Sequence, residues 1–238
     1  MSARHPFLNP RDRLPGWAWR STLALVLSAS LLAVGLLSAT LLGVADPRPL
    51  GTLSADDTFS TPSHWHLSAN GEPLAVPPLR NGRLEIALSA SGGDITGAFA
   101  GSISCPCTIE LRAEQLDGAR FARYGLWWGE TAGIWRIMAG VNSDGYMGIE
   151  PGSSATGPAI LAWQHFPHVR ASGQINDFRV DIDAHQVTVR LNDEVAARFP
   201  REDGGSVSAG LFAQASPDDA ALIAFLDFRV WETESANP

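Results

Sequence analysis

Tyr124 to Glu150, YGLWWGETAGIWRIMAGVNSDGYMGIE, is the stretch whose reading decides the fold. It divides into three short runs, Tyr124–Gly129, Gly133–Gly140 and Tyr146–Glu150, joined by Glu130-Thr131-Ala132 and Asn142-Ser143-Asp144-Gly145. Aromatic and β-branched residues fill the runs, and Asp144-Gly145 supplies the positive φ that a tight hairpin needs. Three of the eight tryptophans, Trp127, Trp128 and Trp135, fall here. The segment is expected to be a meander near the middle of a sheet.

Working outward, from Asp56 to Trp231 no segment carries helical periodicity. Runs of four to eight alternating residues are separated by turn pairs: Asn70-Gly71, Asn81-Gly82, Gly92-Gly93, Asp117-Gly118, Asp144-Gly145, Asn192-Asp193 and Asp203-Gly204. Strands are expected at 65–67, 83–88, 95–99, 107–115, 121–129, 133–140, 146–150, 159–163, 176–183, 186–192, 194–199, 206–214 and 221–231. Phe178-Arg179-Val180-Asp181-Ile182-Asp183 and Val187-Thr188-Val189-Arg190-Leu191 alternate apolar with polar, as strands with one face in a core and one in water do. Short strands at this spacing predict an all-β sandwich or barrel.

The other strong feature is Ser21–Ala45, STLALVLSASLLAVGLLSATLLGVA, which contains no charged residue. As a helix it would reach about 37 Å at about 1.5 Å per residue, enough to cross a hydrocarbon core of about 30 Å with some tilt. A cleaved signal peptide is the alternative, with Gly43-Val44-Ala45 as its cleavage site. The length, well beyond the roughly 7–15 apolar residues usual there, favours a retained transmembrane anchor. Arg4, Arg11, Arg13 and Arg20 against Asp12 give the first twenty residues a charge of +3, and the other 13 arginines against 24 acids leave −11. By the positive-inside rule the N-terminus is cytoplasmic and the C-terminal domain extracytoplasmic. The acidic domain would repel phosphates, so no nucleic-acid partner is expected. The expected organisation is a basic tail over 1–20, the anchor over 21–45, a linker over 46–55, one β domain over 56–232 and a tail over 233–238.

Asp56-Asp57-Thr58-Phe59, Tyr124-Gly125-Leu126, Trp135-Arg136-Ile137 and Ser143-Asp144-Gly145-Tyr146 together resemble the concanavalin A-like lectin/glucanase superfamily. The similarity is greatest to laminin-G-like modules and 3-keto-disaccharide hydrolase-type domains of bacterial surface proteins. Asn176–Val180, Val187–Asn192, Gly210-Leu211-Phe212-Ala213 and Phe225–Val230 extend the resemblance over 56–232. It implies a two-sheet antiparallel jelly-roll sandwich whose last strand returns beside the first. These are packing and turn motifs, specific for fold and nearly silent on chemistry. The Glu-x-Asp-x-Glu strand of family 16 glycoside hydrolases is absent; Ile109–Glu114 and Val180–Asp183 come nearest, and each lacks the third carboxylate. Calcium is common in the superfamily, and loop acids Asp117, Asp144 and Asp218-Asp219 could supply ligands; no other cofactor is expected.

Glu110, Glu130, Glu150, Asp181 and Asp183 could converge as a glycosidase pair, about 5–5.5 Å apart for retention or about 6.5–9.5 Å for inversion. Solvated outer-face charge is the preferred reading. If Leu126, Trp128, Trp135, Ile137, Met147 and Ile149 face the core, then Trp127, Arg136, Tyr146 and Glu150 share the opposite face. An aromatic platform flanked by Arg and Glu could stack on a sugar and hydrogen-bond its hydroxyls. A one-residue slip would reverse every assignment. His64, His66, His165 and His168 have no spacing that compels a zinc site and read as surface residues. Cys105-Pro106-Cys107 holds the only cysteines and favours a local disulfide over free thiols or a redox pair. No serine elbow, P-loop or HExxH is present. The expectation is a single-pass membrane protein displaying a non-catalytic module for glycan or a cell-surface protein. Its rivals are a hydrolase using Glu130, Glu150 or Asp181, and a structural domain.

Overall fold

The computed structural model describes residues 16–41, 48–60, 64–74, 78–89, 92–130, 136–152, 157–201, 205–215 and 220–233. The chain divides into two compact units, 1–48 and 49–238. In the first, α1 (Gly16–Leu41) is a 26-residue helix, long and apolar enough to cross a membrane. Its apolar residues lie on all sides, so it has no core-facing stripe, and leucines from Leu23 to Leu37 are exposed. The helix begins five residues before the uncharged run and takes in Trp17, Trp19 and Arg20, because backbone hydrogen bonding continues regardless of side-chain polarity. Residues 42–45, expected to complete the span, lie outside the described residues.

The second unit is all β. In chain order its strands are β1 (Thr52–Asp57), β2 (Trp65–Ala69), β3 (Glu72–Pro73), β4 (Leu79–Arg80), β5 (Arg83–Leu88) and β6 (Gly93–Phe99). They continue as β7 (Ile103–Ser104), β8 (Cys107–Gly118), β9 (Arg123–Glu130), β10 (Arg136–Val141), β11 (Tyr146–Pro151) and β12 (Leu161–His165). The last are β13 (Asn176–Ile182), β14 (Gln186–Leu191), β15 (Glu194–Pro200), β16 (Ser206–Ala215) and β17 (Ala221–Glu232). An eight-stranded sheet runs β15-β14-β13-β8-β17-β5-β4, with β1 also on β17. A nine-stranded sheet runs β12-β11-β10-β9-β16-β6-β2-β3, with β7 on β16. Every pairing is antiparallel, and the last strand does return beside the first. The two sheets form a jelly-roll sandwich.

Alternation places one face of each sheet in a shared core. Ile109, Leu111 and Ala113 of β8 and Phe178, Val180 and Ile182 of β13 meet Leu126 and Trp128 of β9, Met147 and Ile149 of β11, and Leu211 of β16. The Asp56–Phe59 motif has a structural role. Asp57 is buried and accepts hydrogen bonds from Trp65 Nε1 (2.9 Å) and the Phe59 backbone N–H (2.7 Å), anchoring the Phe59, Trp65, Phe99 and Phe228 ring cluster.

The structure differs from the sequence reading mainly at edges. Thr52–Asp57 is a strand inside what was expected to be linker, because β17 offers it a partner beyond the end of β5. β3, β4 and β7 have two residues each, too few to show a period. Phe121 precedes β9 in a turn closed by Ala122 N–H donating to Ala119 O (3.2 Å).

Candidate functional site

The outer face of the nine-stranded sheet gathers the aromatic residues that the core does not take. Ile137, Met147 and Ile149 pack toward the core, which puts Trp127, Met138, Tyr146 and Glu150 on the other side. Trp127 was expected to be an open platform, and here the structure differs. It is only 3% exposed, clustered with Met138 and Phe212. Its indole N–H donates to Gly97 O (3.1 Å), and the ring lies over Gly210, where a Cβ would come within 2.7 Å of it. A large ring beside a residue without a side chain sinks into the sheet, so Trp127 is floor rather than platform. Arg136 opens β10 opposite Gly129 of β9; its side chain, like that of Glu130, lies outside the described residues, as does Trp135.

The open part of this face is built from neighbouring positions. Trp163 of β12 lies flat on Gly148 of β11, where any Cβ would fall 2.7–2.8 Å from the indole. The Arg123 guanidinium sits 4.4 Å from the centre of the Trp163 ring, in cation–π range, and its Nη1 donates to Glu150 Oε1 at 3.3 Å. Tyr146, 39% exposed, meets His165 edge to face. Asn142 Oδ1 accepts the N–H groups of Asp144 (3.2 Å) and Tyr146 (3.0 Å), fixing the turn that presents Tyr146. Phe121, 60% exposed, completes a depression of about 170 Å³ lined by Phe121, Arg123, Asn142, Tyr146 and Trp163. Pockets for drug-sized molecules run from about 300 Å³. This one is a shallow seat, with aromatic edges around the Arg123 guanidinium, which Glu150 holds from beside the depression.

Beneath it, Tyr124 faces the core, and burial pushes its phenol up to about 12, against the hydrogen bond from Asn176 Nδ2 (2.9 Å). Asn176 also donates to Arg170 O (3.1 Å) and accepts from the Arg170 N–H (2.8 Å) and Asn192 Nδ2 (3.0 Å). This buried network braces the end of the sandwich that carries the depression.

Among the described residues the candidate carboxylates divide between the two sheets. Glu110 and Asp181 lie on the outer face of the eight-stranded sheet, whereas Glu150 lies on the outer face of the other. Arg179 bridges the first two, 3.9 Å from Glu110 and 2.9 Å from Asp181, and Asp181 also accepts from Thr108 Oγ1 (2.7 Å). Burial pushes the Glu110 carboxyl up, with Arg179 and Arg229 pulling the other way. Asp183 sits in the exposed β13–β14 turn. A larger depression of about 370 Å³ on this face is lined by Glu110, Arg112, Asp177, Arg179, Asp193 and Arg229. Its charges are engaged with one another or with neighbours, Arg112 with Asp177 (3.0 Å) and Asp227 (2.9 Å), and Arg229 with Asp56 (3.2 Å). These ion pairs range from half-exposed, as between Arg112 and Asp177, to largely buried, as at Asp227 and Arg179.

His64 lies 3.4 Å from Asp57, His165 packs on Tyr146 and His168 on Phe166. His66 sits on β2 opposite Ala98. Among the described residues no three His, Cys, Asp or Glu side chains are grouped to hold a metal. Asp117 caps its own turn through the Gly118 N–H (2.7 Å), Asp144 approaches Arg120 at 3.9 Å, and Asp218-Asp219 lie outside the described residues. Cys105 and Cys107 are joined by a disulfide, their Cα atoms 4.4 Å apart.

No protein-family model matches the sequence, and no curated protein matches it significantly. Solved structures do match in fold. The Emp47p carbohydrate recognition domain superposes with a TM-score of 0.58 at 14% identity, over 76% of this chain and 97% of that one. The catalytic domain of an endo-1,3-beta-glucanase (laminarinase) from Thermotoga petrophila does so with a TM-score of 0.58 at 14% identity, over 79% and 100%. A potassium-bound Emp46p carbohydrate recognition domain gives 0.55 at 11% identity, over 75% and 96%. The 49–238 unit thus has the concanavalin A-like jelly-roll fold shared by lectin and glucanase domains.

Proposed function

We propose that the chain is a membrane-anchored, extracytoplasmic module that binds neutral carbohydrate without cleaving it, through the outer face of the nine-stranded sheet. The observation that carries this reading is the seat itself: exposed Phe121 and Tyr146 flank Arg123, which is held between the Trp163 ring and Glu150. Sugar rings present apolar faces that pack on aromatic groups, and vicinal hydroxyls both donate and accept. Arg123 supplies donors, and Glu150 beside it cancels its charge, so a neutral sugar fits better than an acidic one. Recognition domains and glucanases among the structural neighbours support a glycan as the ligand class.

Two observations favour binding without catalysis. Glu150 has its described partner in Arg123, and the candidate acids Glu110 and Asp181 lie on the opposite sheet, so a general acid cannot be paired with Glu150 from among them. The depression is also too shallow to enclose a reacting bond. Anchoring is supported by the length and composition of α1 and by the arginines that precede the uncharged run. A bound calcium ion would be an accessory to this reading and is not required by it.

The test is a glycan array probed with the full chain in detergent micelles, with and without calcium, beside Tyr146→Ala. Selective binding to neutral glycans, lost in the variant and without release of reducing ends, is the expected result. No binding to any glycan would refute the reading, and release of reducing ends would move the chain to the hydrolases.

A further inference from the structure

We propose that the depression on the outer face of the eight-stranded sheet is a second binding site, which takes a small neutral polyhydroxylated molecule on Glu110, Arg112 and Arg229. It lies on the sheet opposite the aromatic seat, and it stands or falls separately from the glycan reading.

Strand register builds the site. β13, β8 and β17 are neighbours, and they bring two rows of alternating charge to this face. Asp177, Arg112 and Asp227 form one row, and Arg179, Glu110 and Arg229 form the next. Glu110 therefore has an arginine on either side across the strands and a third two residues along its own. Opposite charges so placed ordinarily pair directly. Here each arginine is drawn to an aspartate instead. Arg112 donates to Asp177 (3.0 Å) and Asp227 (2.9 Å), Arg179 to Asp181 (2.9 Å), and Arg229 to Asp56 (3.2 Å). Arg179 Nη1 comes no nearer to Glu110 than 3.9 Å, outside hydrogen-bond range. Among the described residues Glu110 accepts no hydrogen bond, although only 24% of its side chain is exposed. Burial outweighs the arginines and holds its carboxyl above the usual glutamate value, as befits an acid without a hydrogen-bonded partner.

Size and charge select the ligand. The depression holds about 370 Å³, within the range of small-molecule pockets, which opens at about 300 Å³. Its lining sets three arginines against Glu110, Asp177 and Asp193, so the charges balance. A charged ligand would lose its hydration here and find no surplus counter-charge. A hydroxyl is neutral, and it both donates and accepts. Adjacent hydroxyls of one molecule can donate to Glu110 and accept from Arg112 Nη2 and Arg229 Nη1, which hold no hydrogen bond among the described residues. Phe178 lines the depression with its ring buried in the core, so hydrogen bonds rather than stacking hold the ligand.

The test follows the Glu110 side-chain carboxyl by carbon-13 NMR in the full chain, labelled on glutamate and held in zwitterionic detergent micelles. Glucose, maltose, sucrose and sorbitol are the probes, and Glu110→Gln assigns the signal by its absence. At least one probe should shift the signal saturably, to the same extent in wild type and in Tyr146→Ala. Arg229→Ala removes one donor to the ligand and should weaken that binding about tenfold, as loss of a hydrogen bond from a charged group does. Urea midpoints show whether that variant is folded, and the wild-type titration decides alone if it is not. No saturable shift with any probe would overturn the proposal. So would a shift that Tyr146→Ala abolishes, or one that a folded Arg229→Ala leaves at full affinity. A negative glycan array leaves this result standing, and failure here leaves the aromatic seat untouched.

Discussion

Trp127 carries weight out of proportion to its accessibility. The residue is buried, its indole N–H is bonded to Gly97 O, and its ring occupies the space that Gly210 leaves open. Trp127→Ala should cost about 3–5 kcal/mol, the range for truncating a large buried aromatic, and should lower the urea midpoint accordingly. A loss within a few tenths of a kcal/mol would mean that the ring is not held in the sheet. Loss of glycan binding in that variant would therefore report unfolding as readily as a missing contact, which is why Tyr146 is the better probe. Trp163 depends on Gly148 in the same way, and neither relation can be seen along the chain. Each needs the register that sets Trp127 beside Gly210 and Gly148 beside Trp163.

Among the elements, the β13–β14 hairpin offers the sharpest pH test. Asp183 Oδ1 accepts the backbone N–H groups of His185 (2.7 Å) and Gln186 (2.6 Å), and these hold its carboxyl below the usual aspartate value. An acid depressed on folding contributes stability above its unfolded value of about 3.9. That contribution is lost as the pH falls through the lower folded value. Because the group is exposed, solvent screening keeps the effect small. Asp183→Asn should be less stable than wild type at pH 7 and should converge with it well below pH 3.9. Denaturation midpoints at several pH values would show this, and a gap independent of pH would contradict it. The other end of the hairpin pair was readable in advance. Asn192 and Asp193 stand where Asn-Gly would be usual, and both take positive φ (51° and 70°), as a two-residue turn of this hand requires. Long alternating strands such as β8, β13 and β14 were legible because their period is visible over six residues or more. β1 was not, because Pro47, Pro49 and Gly51 read as linker and its pairing depends on β17, some 170 residues away in sequence. The seat was legible in part: alternation put Tyr146 and Glu150 on one face, but Phe121, Arg123, Asn142 and Trp163 join them only through turns and register.

At the scale of the molecule, the two faces of the sandwich are finished differently. The eight-stranded sheet carries a lattice of paired arginines and carboxylates. The nine-stranded sheet carries buried rings and one shallow aromatic seat. Under the proposed function it is the second face that meets the ligand. The most direct check is a titration of the full chain, in detergent, with the neutral glycan that binds best on the array, followed by tryptophan fluorescence for wild type and Tyr146→Ala. The account predicts saturable binding that weakens about tenfold in the variant, or about 1.4 kcal/mol, with the urea midpoint nearly unchanged. Equal affinity in the two proteins would place the ligand elsewhere and contradict it.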